Sequence, residues 1–120
     1  MKNYTLMCFI IILIMGFFLS GCTIRHGDFT VASNKVMRLS DFDLDKAERT
    51  KGVEGEDIKH IIFGFPTGVP TIDAAVDDAL EKGNGDVMTD AVLEYTYWTM
   101  ILYGQVGFNI KGDVVKTRKN

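Results

Sequence analysis

Cysteine, proline, histidine and tryptophan are all scarce in this 120-residue chain, which holds two, two, two and one of them respectively. Both cysteines, Cys8 and Cys22, lie in the first fifth of the sequence, so no disulfide can staple the remainder to itself. That excludes a cysteine-braced mini-protein and leaves packing as the source of stability. The prolines, Pro66 and Pro70, fall together in Gly64–Pro70 and break the chain there, because each restricts the residue before it. Basic clusters are also missing, apart from the tail Lys116-Thr117-Arg118-Lys119. Sixteen acidic residues stand against thirteen basic ones, so non-specific phosphate binding is excluded and nucleic acid is not an expected partner. The tail reads as a solvated end, with a contact to anionic head groups as its alternative. No internal repeat is present.

Acidic residues are absent before Asp28, and the N-terminus is instead an apolar run from Leu6 to Leu19 behind Lys2. A basic start, a short apolar core and small residues before a cleavage point describe a secretory signal peptide. The run falls short of the roughly 20 apolar residues that span a bilayer. It ends in Leu19-Ser20-Gly21-Cys22, which resembles the lipobox of bacterial lipoproteins. The resemblance implies that Cys22 receives a diacylglyceryl group and an N-acyl chain and becomes the first residue after cleavage. An ordinary signal peptide with an incidental cysteine is the other reading. The expected organisation is a signal peptide over 1–21, a lipidated cysteine and tether over 22–28, and one domain over 29–120. Removing 1–21 takes Lys2 away and leaves twelve basic against sixteen acidic residues.

Within the domain, Phe29–Ser33 has strand composition, and Lys35–Leu39 continues it after a turn at Asn34. The stretch Ser40–Asp57 is the most polar part, with Lys46–Val53 as an exposed strand. Ile58–Phe65 carries Ile61-Ile62-Phe63, a short buried strand. Ile72, Ala75, Val76, Ala79 and Leu80 recur at helical spacing, which predicts a helix over Thr71–Lys82. Thr71 serves as its N-cap, Asp73 favours the dipole, and Gly83 provides a left-handed stop. Period-two alternation then predicts strands over Val87–Tyr95, Tyr97–Tyr103 and Gln105–Lys116, the last interrupted at Gly112-Asp113 by a bulge or bend. The sum is an α+β domain: one main helix packed on a mainly antiparallel sheet of about four to five strands.

The C-terminal half resembles the TRL-like family of small bacterial envelope lipoproteins. The residues that carry the resemblance are the helix opening Pro70-Thr71-Ile72-Asp73-Ala74-Ala75, the turn Gly83-Asn84-Gly85-Asp86, an aromatic strand, and Gly112-Asp113-Val114-Val115. It spans about residues 66–116 and implies location and fold rather than an activity.

Motifs with chemical potential are few. Asp41, Asp43 and Asp45 open like a calcium loop, but Lys46 and Gly52 stand where that loop needs glycine and glutamate, so a solvated acidic turn is the better reading, with a weak site completed by Glu54 or Glu56 as the alternative. Asp73, Asp77 and Glu81 form one helical stripe opposite the apolar one, a solvated face. His26 and His60 lack zinc-site spacing, no Gly-x-Ser-x-Gly elbow exists, and Gly83–Asp86 follows a helix rather than preceding one. No metal, no catalytic residue and no cofactor beyond the covalent lipid on Cys22 is expected. The aromatic group Tyr95, Tyr97, Trp98 and Tyr103 is the exception. Alternation sends Tyr95 and Tyr97 one way, as a candidate partner patch, and Trp98 the other, against the helix.

The expected function is therefore non-enzymatic. The sequence reads as a membrane-anchored envelope lipoprotein with a structural or partner-binding role, its partners being membrane lipid and an envelope protein. A lipoprotein that sequesters a small ligand, or inhibits an envelope-acting enzyme such as a lysozyme, is the alternative. Thr23, not aspartate, follows Cys22, which favours the periplasmic leaflet of an outer membrane where one exists.

Overall fold

The alternating residues of the C-terminal half build long strands, and the one strongly periodic segment builds the helix that covers them. The structure, a computed structural model, describes residues 2–17, 21–35, 43 and 46–117. Its elements in chain order are α1 (Lys2–Phe17), β1 (Cys22–Ala32), β2 (Glu48–Ile62), β3 (Phe65–Pro66), α2 (Ile72–Lys82), β4 (Val87–Thr99) and β5 (Tyr103–Lys116). The five strands form one sheet in the order β1-β4-β5-β2-β3, and every pairing is antiparallel. The domain is α+β, with one helix on one face of the sheet.

Helix α2 starts as its sequence predicts. Thr71 is extended, and its Oγ1 accepts from the Ala74 N–H at 3.3 Å. Ala75, Val76, Ala79 and Leu80 are buried, whereas Ile72 is 41% exposed and leaves the stripe. The stop differs from expectation. Gly83 is right-handed, and the left-handed residue is Asn84 at φ 51°. Gly83 is required for space instead: a Cβ there would lie 2.5 Å from the Val114 Cβ. The core beneath the helix consists of Met88, Ala91, Leu93, Ile110 and Val114, joined by half-buried Ala32, Val53 and Phe108.

The helix approaches β2 at Gly55, where a Cβ would stand 2.2 Å from the Ala75 carbonyl oxygen. It also mends the free edge of that strand, since Asp78 accepts from the Glu56 N–H at 2.9 Å. At its start the Thr71 N–H donates to Asp57 (2.8 Å), and past its end the Gly83 carbonyl accepts from Thr50 Oγ1 (3.2 Å). So α2 runs along β2 only from residue 57 to residue 50. Eleven helical residues reach about 16 Å, against roughly 45 Å for strands of 13 to 15 residues. Among the described residues no helix covers the other half of that sheet face.

Three boundaries depart from the sequence reading. Residues 22–28, expected as a tether, are the first part of β1, with Cys22 paired to Tyr97. Lys46–Val53 and Ile58–Phe65 belong mostly to the single strand β2, and Val87–Tyr95 merges with Tyr97–Thr99 into β4. Gly112-Asp113 is not itself a bulge; it lies between two. The register shifts on one side between Thr50 and Val53 and on the other between Thr89 and Val92, both opposite Gly112–Asp113. Gly52 (φ 64°) and Asp90 (φ 53°) take the left-handed conformations. Arg49 and Asp113 hold the pair: Asp113 accepts from the Gly52 N–H at 3.0 Å, while the Arg49 guanidinium lies 3.3 Å from Asp113 and 3.8 Å from Asp90. Val36 to Leu39, in the expected continuation of the first strand, lie outside the described residues.

Candidate functional site

Two places carry unusual side chains: the start of β1 with its cysteine, and the aromatic half of the sheet beside it. Of the lipobox, Leu19 and Ser20 lie outside the described residues, while Gly21 and Cys22 are exposed. Cys22 is a free thiol at the first position of β1. Gly21 sits beside Trp98, with a built Cβ 3.3 Å from the Trp98 Cβ. The helix α1 before it exposes every described side chain, and no helix among the described residues is long and apolar enough to cross a membrane.

The bulge at Asp90 shifts which residues of β4 face the helix. Met88 faces it before the bulge, Ala91 and Leu93 after it. Tyr95 and Tyr97 continue the Leu93 row past the end of the helix, paired with Phe108 and Val106. The Tyr95 and Phe108 rings are 5.2 Å apart, and His26 turns its edge to Tyr95 at 5.7 Å. Tyr97 is 43% exposed. His26 and Phe108 thus join the expected patch of Tyr95 and Tyr97. The bulge in β1 between Arg25 and Gly27 brings His26 to that face, and nothing in a lone histidine after an arginine announces this.

Trp98, expected against the helix, lies on the opposite face. There its indole N–H donates to Gln105 Oε1 at 3.2 Å, and its ring stands edge-on to Tyr103 at 5.6 Å. Gln105 Nε2 donates to the Tyr103 hydroxyl at 3.0 Å, and that hydroxyl lies 2.7 Å from His60 Nδ1. The four side chains form a hydrogen-bonded row across β4, β5 and β2. Its members are half-buried or exposed, so it braces a surface rather than a core.

The carboxylates divide by environment. Asp57 is buried; Lys59 Nζ donates to it at 2.5 Å and the Thr71 N–H at 2.8 Å. The Lys59 ammonium, then the Thr71 amide, hold its carboxyl below the ordinary aspartate range. Asp86 is lowered in the same way, first by Lys35 at 2.6 Å. Asp73, Asp77 and Glu81 are exposed, and Asn34 Nδ2 reaches Asp77 at 3.0 Å. Of the acidic turn, Asp41 and Asp45 lie outside the described residues, and Asp43 is paired to Lys46 at 2.9 Å. Among the described residues no group of three or more His, Cys, Asp or Glu is placed to hold a metal ion.

On the face away from the helix, a groove of about 330 Å³ is lined by Arg25, Glu54, Val92, Glu94, Asn109 and Lys111. Lys111 is tied to Glu54, while Asn109 Oδ1 is buried without a hydrogen-bond partner. No protein-family model, no curated protein and no solved structure matches this chain.

Proposed function

We propose that this protein is a lipid-anchored lipoprotein of the bacterial envelope, similar in organisation to the TRL-like family, with a binding or structural role and no catalysis. The observation that carries the reading is Leu19-Ser20-Gly21-Cys22 behind an apolar run, with Cys22 exposed at the head of the domain. Burial of acyl chains is worth about 0.8 kcal/mol per methylene, so two or three chains hold a small domain at a membrane. Thr23 in place of aspartate favours the periplasmic leaflet of an outer membrane. The exposed rings of the patch around Tyr97 and His26 supply the binding surface for an envelope partner.

The first test is metabolic labelling with a fatty-acid analogue and mass spectrometry of Cys22. Cys22→Ser is expected to lose the label and to accumulate as uncleaved precursor that still carries its apolar N-terminal segment. Normal cleavage and retention in that variant would overturn the anchor.

A second reading, sequestration of a small polar ligand or inhibition of an envelope-acting enzyme, is favoured by the open-face groove. The unpartnered Asn109 oxygen and the flanking charges offer a donor-bearing ligand its partners there. Glu94→Gln should weaken such a ligand while leaving membrane attachment intact.

A further inference from the structure

The tips of both hairpins and the start of β1 lie at the same end of the sheet. Cys22 pairs with Tyr97, two residues before β4 ends at Thr99. Ile62 pairs with Tyr103 across the sheet, and the Phe63 N–H donates to the Leu102 carbonyl at 3.0 Å, so the two tips touch. This end presents Phe63, Phe65, Met100, Ile101 and Leu102, with Ile101 92%, Phe65 76% and Phe63 68% exposed. Five large apolar side chains crowded at one tip exceed the scattered exposure normal for a water-facing surface.

The segments that build this end carry no charge. Residues 61–67 and 95–105 contain no acidic or basic side chain, although charged residues make up 24% of the sequence. Directly behind the tips stand Tyr97, Trp98 and Tyr103, amphipathic rings of the kind that settle at the level of lipid head groups. The charged side chains gather at the other end, where Val87 pairs with Val115: Asp86 with Lys35, and Asp90 and Asp113 with Arg49. The β2–β3 turn adds a local sign. Its two residues, Phe63 (φ 49°) and Gly64 (φ 83°), both have positive φ, a conformation that suits asparagine and glycine. A bulky ring occupies the first position and points outward.

Geometry connects this end to the anchor. Because β1 begins at Cys22, no spacer separates an acylated cysteine from the folded sheet. The tip at Ile101 lies four residues beyond Tyr97, the partner of Cys22, which is roughly 10–13 Å along the strand. Amphipathic elements seat themselves about 5–10 Å into the boundary between head groups and acyl chains. An anchored Cys22 therefore brings the tips to that depth.

We propose that this charge-free end is a lipid-docking surface, inserting Ile101, Leu102 and Phe63 into the leaflet that holds the acyl chains of Cys22. The proposal rests on the lipoprotein reading above. It makes the domain lie against the bilayer in one orientation, with the charged end and α2 turned away.

The mature protein offers a clean probe. Its single cysteine is blocked by acylation, so Ile101→Cys and Asp77→Cys each introduce the one reactive thiol. Each is labelled with an environment-sensitive fluorophore and reconstituted in vesicles of phosphatidylethanolamine and phosphatidylglycerol. The label at 101 is expected to shift to the blue and to be quenched several-fold more by nitroxide-labelled lipid than the label at 77. In unlabelled protein, the triple variant Phe63→Asn, Ile101→Ser, Leu102→Ser should keep its circular dichroism spectrum and lose quenching of Trp98 by the same lipid. Equal access of aqueous iodide to both labels, with Cys22 shown to be acylated, would overturn the docking and leave the lipoprotein reading standing. An uncleaved chain without acyl groups would overturn both.

Discussion

Gly55 and Asp57 decide how α2 meets the sheet, and both act through atoms rather than through patterns. Any side chain at Gly55 collides with helix backbone at Ala75 and Ala79, groups that cannot step aside. Gly55→Ala is expected to cost ~3 kcal/mol or more, while Gly27→Ala, whose Cβ meets nothing within 4 Å, stays within ~0.5 kcal/mol. Urea titration in mild detergent, read by Trp98 fluorescence, compares them. Asp57 adds a pH dependence. Its carboxyl is held down in the folded state by Lys59 and then Thr71, so its stabilisation is complete above the unfolded value of about 3.9. It is lost as pH falls through the lower folded value. Asp57→Asn should flatten the acid limb of the stability curve below about pH 4, and an unchanged limb would remove Asp57 from the account.

Among the elements, α2 was the most legible in the sequence and β1 the least. A helix announces itself by apolar spacing and a Thr71 cap, and those local signals survive packing. Leu80, 4% exposed, should lose about 2–4 kcal/mol when replaced by alanine, as large-to-small changes in a core do. Asp77→Ala should change stability by no more than about 0.5 kcal/mol. Equal losses in the two would place the helix on the sheet by a different face. Cys22–Asp28 is strand only because β4 offers it a ladder, and an edge strand with five of its first six side chains in water has no alternation to read. The exchange of Tyr97 and Trp98 has a similar origin. Alternation separated the two correctly, but which side faces α2 depends on the bulge at Asp90, made by a residue that sequence pattern marks only as polar. Even the face that α2 occupies is bare beside Tyr97, because the helix begins at Asp57 and runs the other way. Trp98→Ala is therefore expected to cost about 1–3 kcal/mol through its Gln105 and Tyr103 contacts, less than a core tryptophan does.

At the scale of the whole molecule, the two ends of the sheet have different jobs under the proposed reading, and stability and docking pull apart at Phe63. Replacing a left-handed, 68% exposed phenylalanine by asparagine relieves the turn and should stabilise the fold by ~1 kcal/mol. The same Phe63→Asn change should weaken contact with lipid. A variant that melts later yet releases more readily from vesicles is the expected outcome. Loss on both counts would make Phe63 a packing residue of the hairpin.

The position of Cys22 also sets how the domain bears load. Under the proposed anchoring, β1 leaves Cys22 along its own axis and stays paired to β4 through to Ala32. Tension between a membrane-held Cys22 and a partner gripping the rest of the domain would slide β1 lengthwise against β4. The ladder bonds then share the strain together, as rungs loaded in parallel, instead of opening one after another from an end. A chain with a floppy leader would absorb the same pull as slack. Here the pull arrives in the sheet at once, which suits a protein that must keep its orientation while something tugs on it.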